Sequence, residues 1–165
     1  MIKKFKELHR QGSSGFTIIE VMVVLTVAAL IMLIVFLAIP QLNRNQRNTR
    51  RKDITNRLKS EIENYASNNG GALPTADANA STGFNSGAGG FYTRYIQTLN
   101  YVDPQSRNAI VTATWTSDAN VNTLGTIYYV TGRICAGENS AAGTANNYVE
   151  MTFLEGGARY CLDNQ

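Results

Sequence analysis

Hydrophobic and polar positions divide this chain near residue 42. From Phe16 to Leu42 the only charged side chain is Glu20, and Val21–Ile39 is nineteen consecutive residues without a formal charge. About 20 apolar residues in a helix are enough to cross the hydrocarbon core of a bilayer, so this run predicts a membrane span. Beyond it the apolar positions thin to a stripe. Ile54, Leu58, Ile62 and Tyr65 recur at spacings of four, four and three, the signature of a helix with one face on a core. No glycine interrupts residues 16–69, and Asn68-Asn69-Gly70-Gly71 followed by Pro74 supplies a terminus. The pattern predicts one helix over Phe16–Asn69, roughly 81 Å long at 1.5 Å per residue. Pro40, between its halves, is predicted to bend or locally break it, because proline has no N–H to donate.

The period then changes. Residues 70–107 read as a connection from helix to sheet, with a low-complexity run of Ala, Asn, Ser, Thr and Gly over Thr75–Gly90 and a short helix over Phe91–Leu99. Strand-like runs follow at Ala109–Thr116, Thr126–Cys135, Tyr148–Leu154 and Ala158–Leu162, the last two joined across Glu155-Gly156-Gly157. Alternation such as Val149/Met151/Phe153 suits a small antiparallel sheet with one face on the helix. The expected class is α+β, with the sheet packed on the second half of the long helix.

Charge refines this picture. The formal net charge is +3 over 165 residues, but Lys3, Lys4, Lys6 and Arg10 stand against Glu7 in the first fifteen, so residues 16–165 carry eleven bases and eleven acids. Within that neutral remainder the bases are concentrated. Residues 41–64 hold Arg44, Arg47, Arg50, Arg51, Lys52, Arg57 and Lys59 against Asp53, Glu61 and Glu63, a basic collar just beyond the apolar run. Such a collar can contact phosphates of nucleic acid without sequence preference. The stronger reading is packing between subunits or pairing along the helix, for which Asp53 and Arg57 have the i, i+4 spacing.

Glu20 is the chemically informative residue. A lone carboxylate inside an apolar span costs roughly 2.5 to 3.5 kcal/mol on insertion scales, and so implies a partner. It sits in Gly15-Phe16-Thr17-Ile18-Ile19-Glu20, behind a basic leader and the small uncharged break Gly12-Ser13-Ser14-Gly15. An ordinary secretory signal has a shorter apolar region followed by a small-x-small cleavage site, which this run lacks. The leader, the Gly-Phe junction and the glutamate resemble the class III signal of bacterial type IV pilins and related pseudopilins. The resemblance implies cleavage after Gly15 by a membrane prepilin peptidase and N-methylation of Phe16. Cleavage would create an α-amino group with a pKa of about 7.7 to 8, opposite in sign to Glu20. Phe16 and Glu20 share a helix face at i, i+4, so pairing within one chain and pairing with a neighbour both remain open.

The same resemblance divides the chain into a cleaved leader (1–15), an assembly half of the helix (16–40), a basic amphipathic half (41–69), a connecting region (70–107) and a sheet with a C-terminal disulfide region (108–165). The chain departs from the family pattern in the late position of Pro40 and in a span without glycine. Cys135 and Cys161 read best as a disulfide outside the cytoplasm, with two free thiols as the alternative, and that reading overrides the positive-inside bias of Arg44–Lys52. Closing that loop would contribute about 3.5 kcal/mol in the chain-entropy model. The implied function is a structural subunit of a type IV pilus, anchored in the cytoplasmic membrane as a precursor and extracellular when polymerised. Implied partners are further copies of the chain, minor pilins, the peptidase, a membrane platform protein and a cytoplasmic assembly ATPase, with host surfaces or DNA at the filament's exterior. Adhesion, twitching motility and DNA uptake are the roles that follow. The alternatives are a pseudopilin of a type II secretion or competence system and a minor DNA-binding pilin.

Catalysis finds little support. The only histidine, His9, lies in the leader, Ser117 and Ser140 have no base nearby in sequence, and no phosphate-binding Gly-Lys motif occurs. Gly87-Ala88-Gly89-Gly90 reads as turn material, and Asp103, Asp118 and Asp163 lack the alternation of a Ca²⁺ loop. No enzyme activity, cofactor or metal is expected. Tyr92, Tyr95, Tyr101, Tyr128 and Tyr129 are expected as core or interface residues.

Overall fold

The computed structural model describes residues 15–75, 84, 90–99 and 101–165, so the leader up to Ser14 and nearly all of the low-complexity run fall outside the described residues. Helix α1 spans Ile18–Asn68, 51 residues, and is continuous through Pro40. No local break occurs there, although proline leaves the Phe36 carbonyl without its usual i+4 donor. The helix ends where the glycines predicted. Gly70 takes φ +68°, and the Gly71 N–H reaches back to the Ala66 carbonyl at 2.7 Å, satisfying an end carbonyl as in a Schellman turn.

Contacts along the chain separate residues up to Gln41 from Leu42–Gln165. In the first unit the large apolar side chains of the helix, from Ile18 through Ile39, are exposed on all faces. The second unit holds the core. Strands β1 (Val111–Thr114), β2 (Thr126–Thr131), β3 (Arg133–Ala136), β4 (Asn139–Ala142), β5 (Tyr148–Phe153) and β6 (Arg159–Asp163) form a four-stranded sheet, β1-β2-β5-β6, and a separate β3-β4 hairpin. A π-helical turn at Tyr92–Ile96 and a 3-10 turn at Gln97–Leu99 occupy the predicted short helix.

The class is α+β as expected, with three corrections in the sheet. It is mixed rather than antiparallel, because β1 runs parallel to β2, while β2-β5 and β5-β6 are antiparallel. The predicted strand Thr126–Cys135 breaks at Gly132, whose φ of +77° turns the chain out of the sheet into β3. Between the predicted strands ending at Cys135 and starting at Tyr148 lies a further strand, β4, whose Asn-Ser-Ala-Ala sequence has no apolar alternation to reveal it.

The sheet is also buried on both faces. Leu58 and Ile62 of α1 pack with Phe84, Phe91, Ile96, Ile127, Tyr129 and Tyr148, whereas Val121, Tyr128, Val149 and Met151 form a second cluster bordered by Trp115 and the cysteines. The alternating Val149 and Met151 therefore belong to the second cluster, while Tyr148 faces the helix. Tyr128 and Tyr129 are buried, and Tyr92 and Tyr95 pack against the helix-side cluster.

Candidate processing and assembly site

The start of α1 is built by a reciprocal cap. Thr17 is the N-cap residue: its hydroxyl oxygen accepts the Glu20 N–H at 3.3 Å, and Glu20 Oε2 accepts the Thr17 N–H and hydroxyl, each at 3.3 Å. This is a capping box, in which the side chains at the first position and three residues on satisfy each other's free backbone donors. The Thr-x-x-Glu spacing is the local signal that starts the helix at Ile18 rather than at the expected Phe16. Glu20 lies in a shallow apolar groove with Phe16, Val21, Val24 and Leu25. The carboxylate of Glu20 is thus positioned beside Thr17 and Phe16 by local structure alone, and the negative charge sits in the first turn, where the helix dipole favours it.

The basic collar has a different fate from the one expected. Arg44, Arg47, Asn48 and Arg51 stand at i, i+3, i+4 and i+7, one face of the helix, and grip the turn between β5 and β6. Arg47 donates to both carboxylate oxygens of Glu155 at 2.6 Å each, and Arg51 adds a bond to Oε1 at 2.8 Å. Arg44 Nε and Asn48 Nδ2 donate to the Glu155 carbonyl, and the Glu155 N–H donates to Asn48 Oδ1. Gly156 suits this turn because its φ is +105°, a conformation that residues with a β-carbon rarely adopt.

Arg51 is the pivot, 1 % exposed, with Nε donating to Asp103 Oδ2 at 2.7 Å and Nη2 to Oδ1 at 3.2 Å. Burial would raise the Asp103 carboxyl, but the guanidinium and the N–H groups of Ser106 and Gln105 outweigh it and hold it below the usual range. The Arg47 hydrogen bonds, with Arg51 behind them, hold Glu155 down at about 2 despite some burial. Of the acids within the helix, Glu63 pairs with Lys59 at 3.6 Å, whereas Arg47 and Arg51 pair with Glu155 and Asp103 of the sheet unit's loops. Arg50 remains on the surface, lining a cleft of about 510 Å³ with Asp53, Arg57, Pro104 and Arg107, and Lys52 lies over the Tyr160 ring at 5.2 Å.

Cys135 and Cys161 are joined, with Cα atoms 5.8 Å apart, and so tie the β3-β4 hairpin to β6 at the edge of the main sheet. The Cys135 N–H donates to Asp163 at 2.7 Å, which reinforces the same junction. Asp118 accepts the Ser140 N–H and hydroxyl and the Trp115 indole N–H, so this carboxylate and that serine hold a loop against the hairpin. Among the described residues no three His, Cys, Asp or Glu side chains converge as a metal site.

Residues 10–36 match the prokaryotic N-terminal methylation motif. No curated protein and no solved structure matches the chain. The matched segment is the one that carries the junction, the capping box and the exposed apolar helix, and it is followed by an α+β unit closed by a disulfide. Motif and helix support a class III signal of the type IV pilin kind at residues 10–36, set at the start of a long apolar helix.

Proposed function

We propose that the chain is a structural subunit of a type IV pilus, cleaved after Gly15, methylated on Phe16 and polymerised through the first half of α1. The observation that carries this reading is the methylation motif lying on a helix whose apolar side chains are left exposed by the described residues. Lipid covers such a surface in the precursor. Leaving the bilayer requires an equivalent apolar cover, which further copies of the same helix supply, and a contact that repeats without closing gives a filament. The amine freed on Phe16 then supplies the charge partner that Glu20 lacks, and an unpaired charge in the bundle would penalise wrong registers.

The five-part division from leader to disulfide region belongs to this proposal. The peptidase acts on the leader, and a platform protein and cytoplasmic ATPase supply the work of extension. Arg50, Arg57 and Arg107 are collar and loop cations on the surface cleft that suit contacts between copies, because Arg44, Arg47 and Arg51 are committed to the hairpin turn and the Asp103 loop and Lys52 lies over Tyr160. This commitment also weakens the DNA-binding alternative, which drew on all five of Arg44, Arg47, Arg50, Arg51 and Lys52. The disulfide favours a pilus subunit over a secretion or competence pseudopilin.

Shearing cells and sequencing the filament fraction by mass spectrometry tests the proposal directly. The expected result is this protein beginning at methylated Phe16. Retention of residues before Phe16 in extracellular material would refute the processing step, and absence from sheared filaments would refute the polymer.

A further inference from the structure

The geometry points to Glu150 as a pH-operated latch beneath helix α1, closed while its carboxyl is neutral and loosened when the carboxyl ionises. Glu150 lies at the centre of β5, opposite Tyr129 in β2 and Leu162 in β6. It is two residues from Tyr148, so it shares that residue's face, the side on which Leu58 and Ile62 of α1 pack. It is 0 % exposed, and among the described residues neither carboxylate oxygen has a hydrogen-bond partner; the neighbouring Tyr148 hydroxyl is also buried without one. An ionised carboxylate in such a place costs far more than a neutral one, because no donor replaces the water it has lost.

The groups around it do not supply that donor. From α1, Lys59 favours the charged form and Glu63 opposes it, and these two are paired with each other at 3.6 Å. From β2, the Tyr129 hydroxyl is committed to the Pro74 carbonyl at 3.0 Å. Tyr148 on β5 and Tyr101 in the segment before β1 add neutral phenols, both held above their ordinary range chiefly by burial, and Asp163 on β6 adds negative charge near Tyr148. Burial dominates at Glu150, with Lys59 opposing it and Glu63 adding to it, and pushes the carboxyl well above the ordinary carboxylate value. The raised value fixes the sign: stability from this site is complete below about pH 4.5, where the unfolded carboxyl titrates, and is lost as pH rises toward the folded value. Ionisation is relieved by admitting water to the seam or by drawing Lys59 away from Glu63, and either change loosens the contact between helix and sheet. This behaviour concerns the folded head and is independent of whether the chain polymerises.

The test is unfolding of the full-length chain in detergent micelles by urea between about pH 4 and pH 9, comparing wild type with Glu150→Gln. The wild-type unfolding constant should rise relative to the variant by up to about tenfold per pH unit between the unfolded and folded values. Parallel pH profiles would overturn the latch. Should the glutamine variant fail to fold, carboxyl ¹³C resonances of glutamate-labelled wild type give the answer: one carboxyl still protonated at about pH 6 supports the inference, and complete ionisation of every glutamate by that pH refutes it.

Discussion

Residues 18–42 and residues 44–62 belong to one uninterrupted helix, yet they treat their side chains in opposite ways. The first stretch exposes Leu, Ile, Val and Phe in every direction, whereas the second buries Arg51, Thr55, Leu58 and Ile62 in a single stripe. An apolar surface is indifferent to which apolar neighbour covers it, so the first stretch can exchange lipid for helices. The second is held by directional partners, three arginines and an asparagine around one turn, which fit one arrangement only. The same helix therefore combines an exchangeable surface with a fixed one.

The comparison can be broken at Arg51. Arg51→Ala leaves Asp103 and Glu155 without their buried cation and should cost roughly 3–5 kcal/mol in urea unfolding, whereas Arg50→Ala, on the surface cleft, should leave the midpoint in place. Equal effects would mean that the turn does not fix the helix. Leu58→Ala should cost about 2–5 kcal/mol by the same measurement, and Leu33→Ala, which is exposed, should change head unfolding little while impairing polymerisation. Replacing Cys135 by serine should lower stability by about 2–4 kcal/mol, and alkylation mass shifts with and without reductant check that the bond is present in the native protein.

Acid sharpens the contrast on the fixed side. Glu155 is depressed, so its stabilisation is present above about pH 4.5 and is lost as pH falls toward about 2. Glu155→Gln should flatten that acid limb in a pH series of unfolding curves. The smallest expected effect lies at the helix start: Thr17→Ala removes a cap worth about 1 kcal/mol locally and should leave unfolding of the head unchanged. Glu20→Ala should likewise spare the head and peptide cleavage while lowering recovery in sheared filaments, and normal filament yield would separate Glu20 from assembly.

Much of the architecture was legible because it is written locally. A charge-free run, a spacing of four, four and three, and a Gly-Gly terminus each act over a few residues, and so do the strand alternation and the Gly-Phe junction. The capping box was equally local, since Thr17 and Glu20 are three apart. The partners of the collar were not legible: Arg51 meets Asp103 and Glu155 across separations of 52 and 104 residues, and no short-range signal distinguishes them from Asp53 or Glu61. Strand alternation showed that Val149 and Met151 share a face but could not say which face meets the helix. The burial of Glu150 follows from that assignment. The parallel pairing of β1 with β2 depends on how residues 115–125 return, which period alone does not encode.

The grip on the β5-β6 turn sets a condition on how this head can diverge. Arg44-x-x-Arg47-Asn48-x-x-Arg51 and Glu155 contact each other side chain to side chain and side chain to main chain, and Gly156 holds the turn at φ +105°. Neither half can drift without the other. Descendants of this protein should therefore be traceable by a two-part fingerprint more than a hundred positions apart, long after the Ala-, Asn- and Ser-rich stretches between have become unalignable.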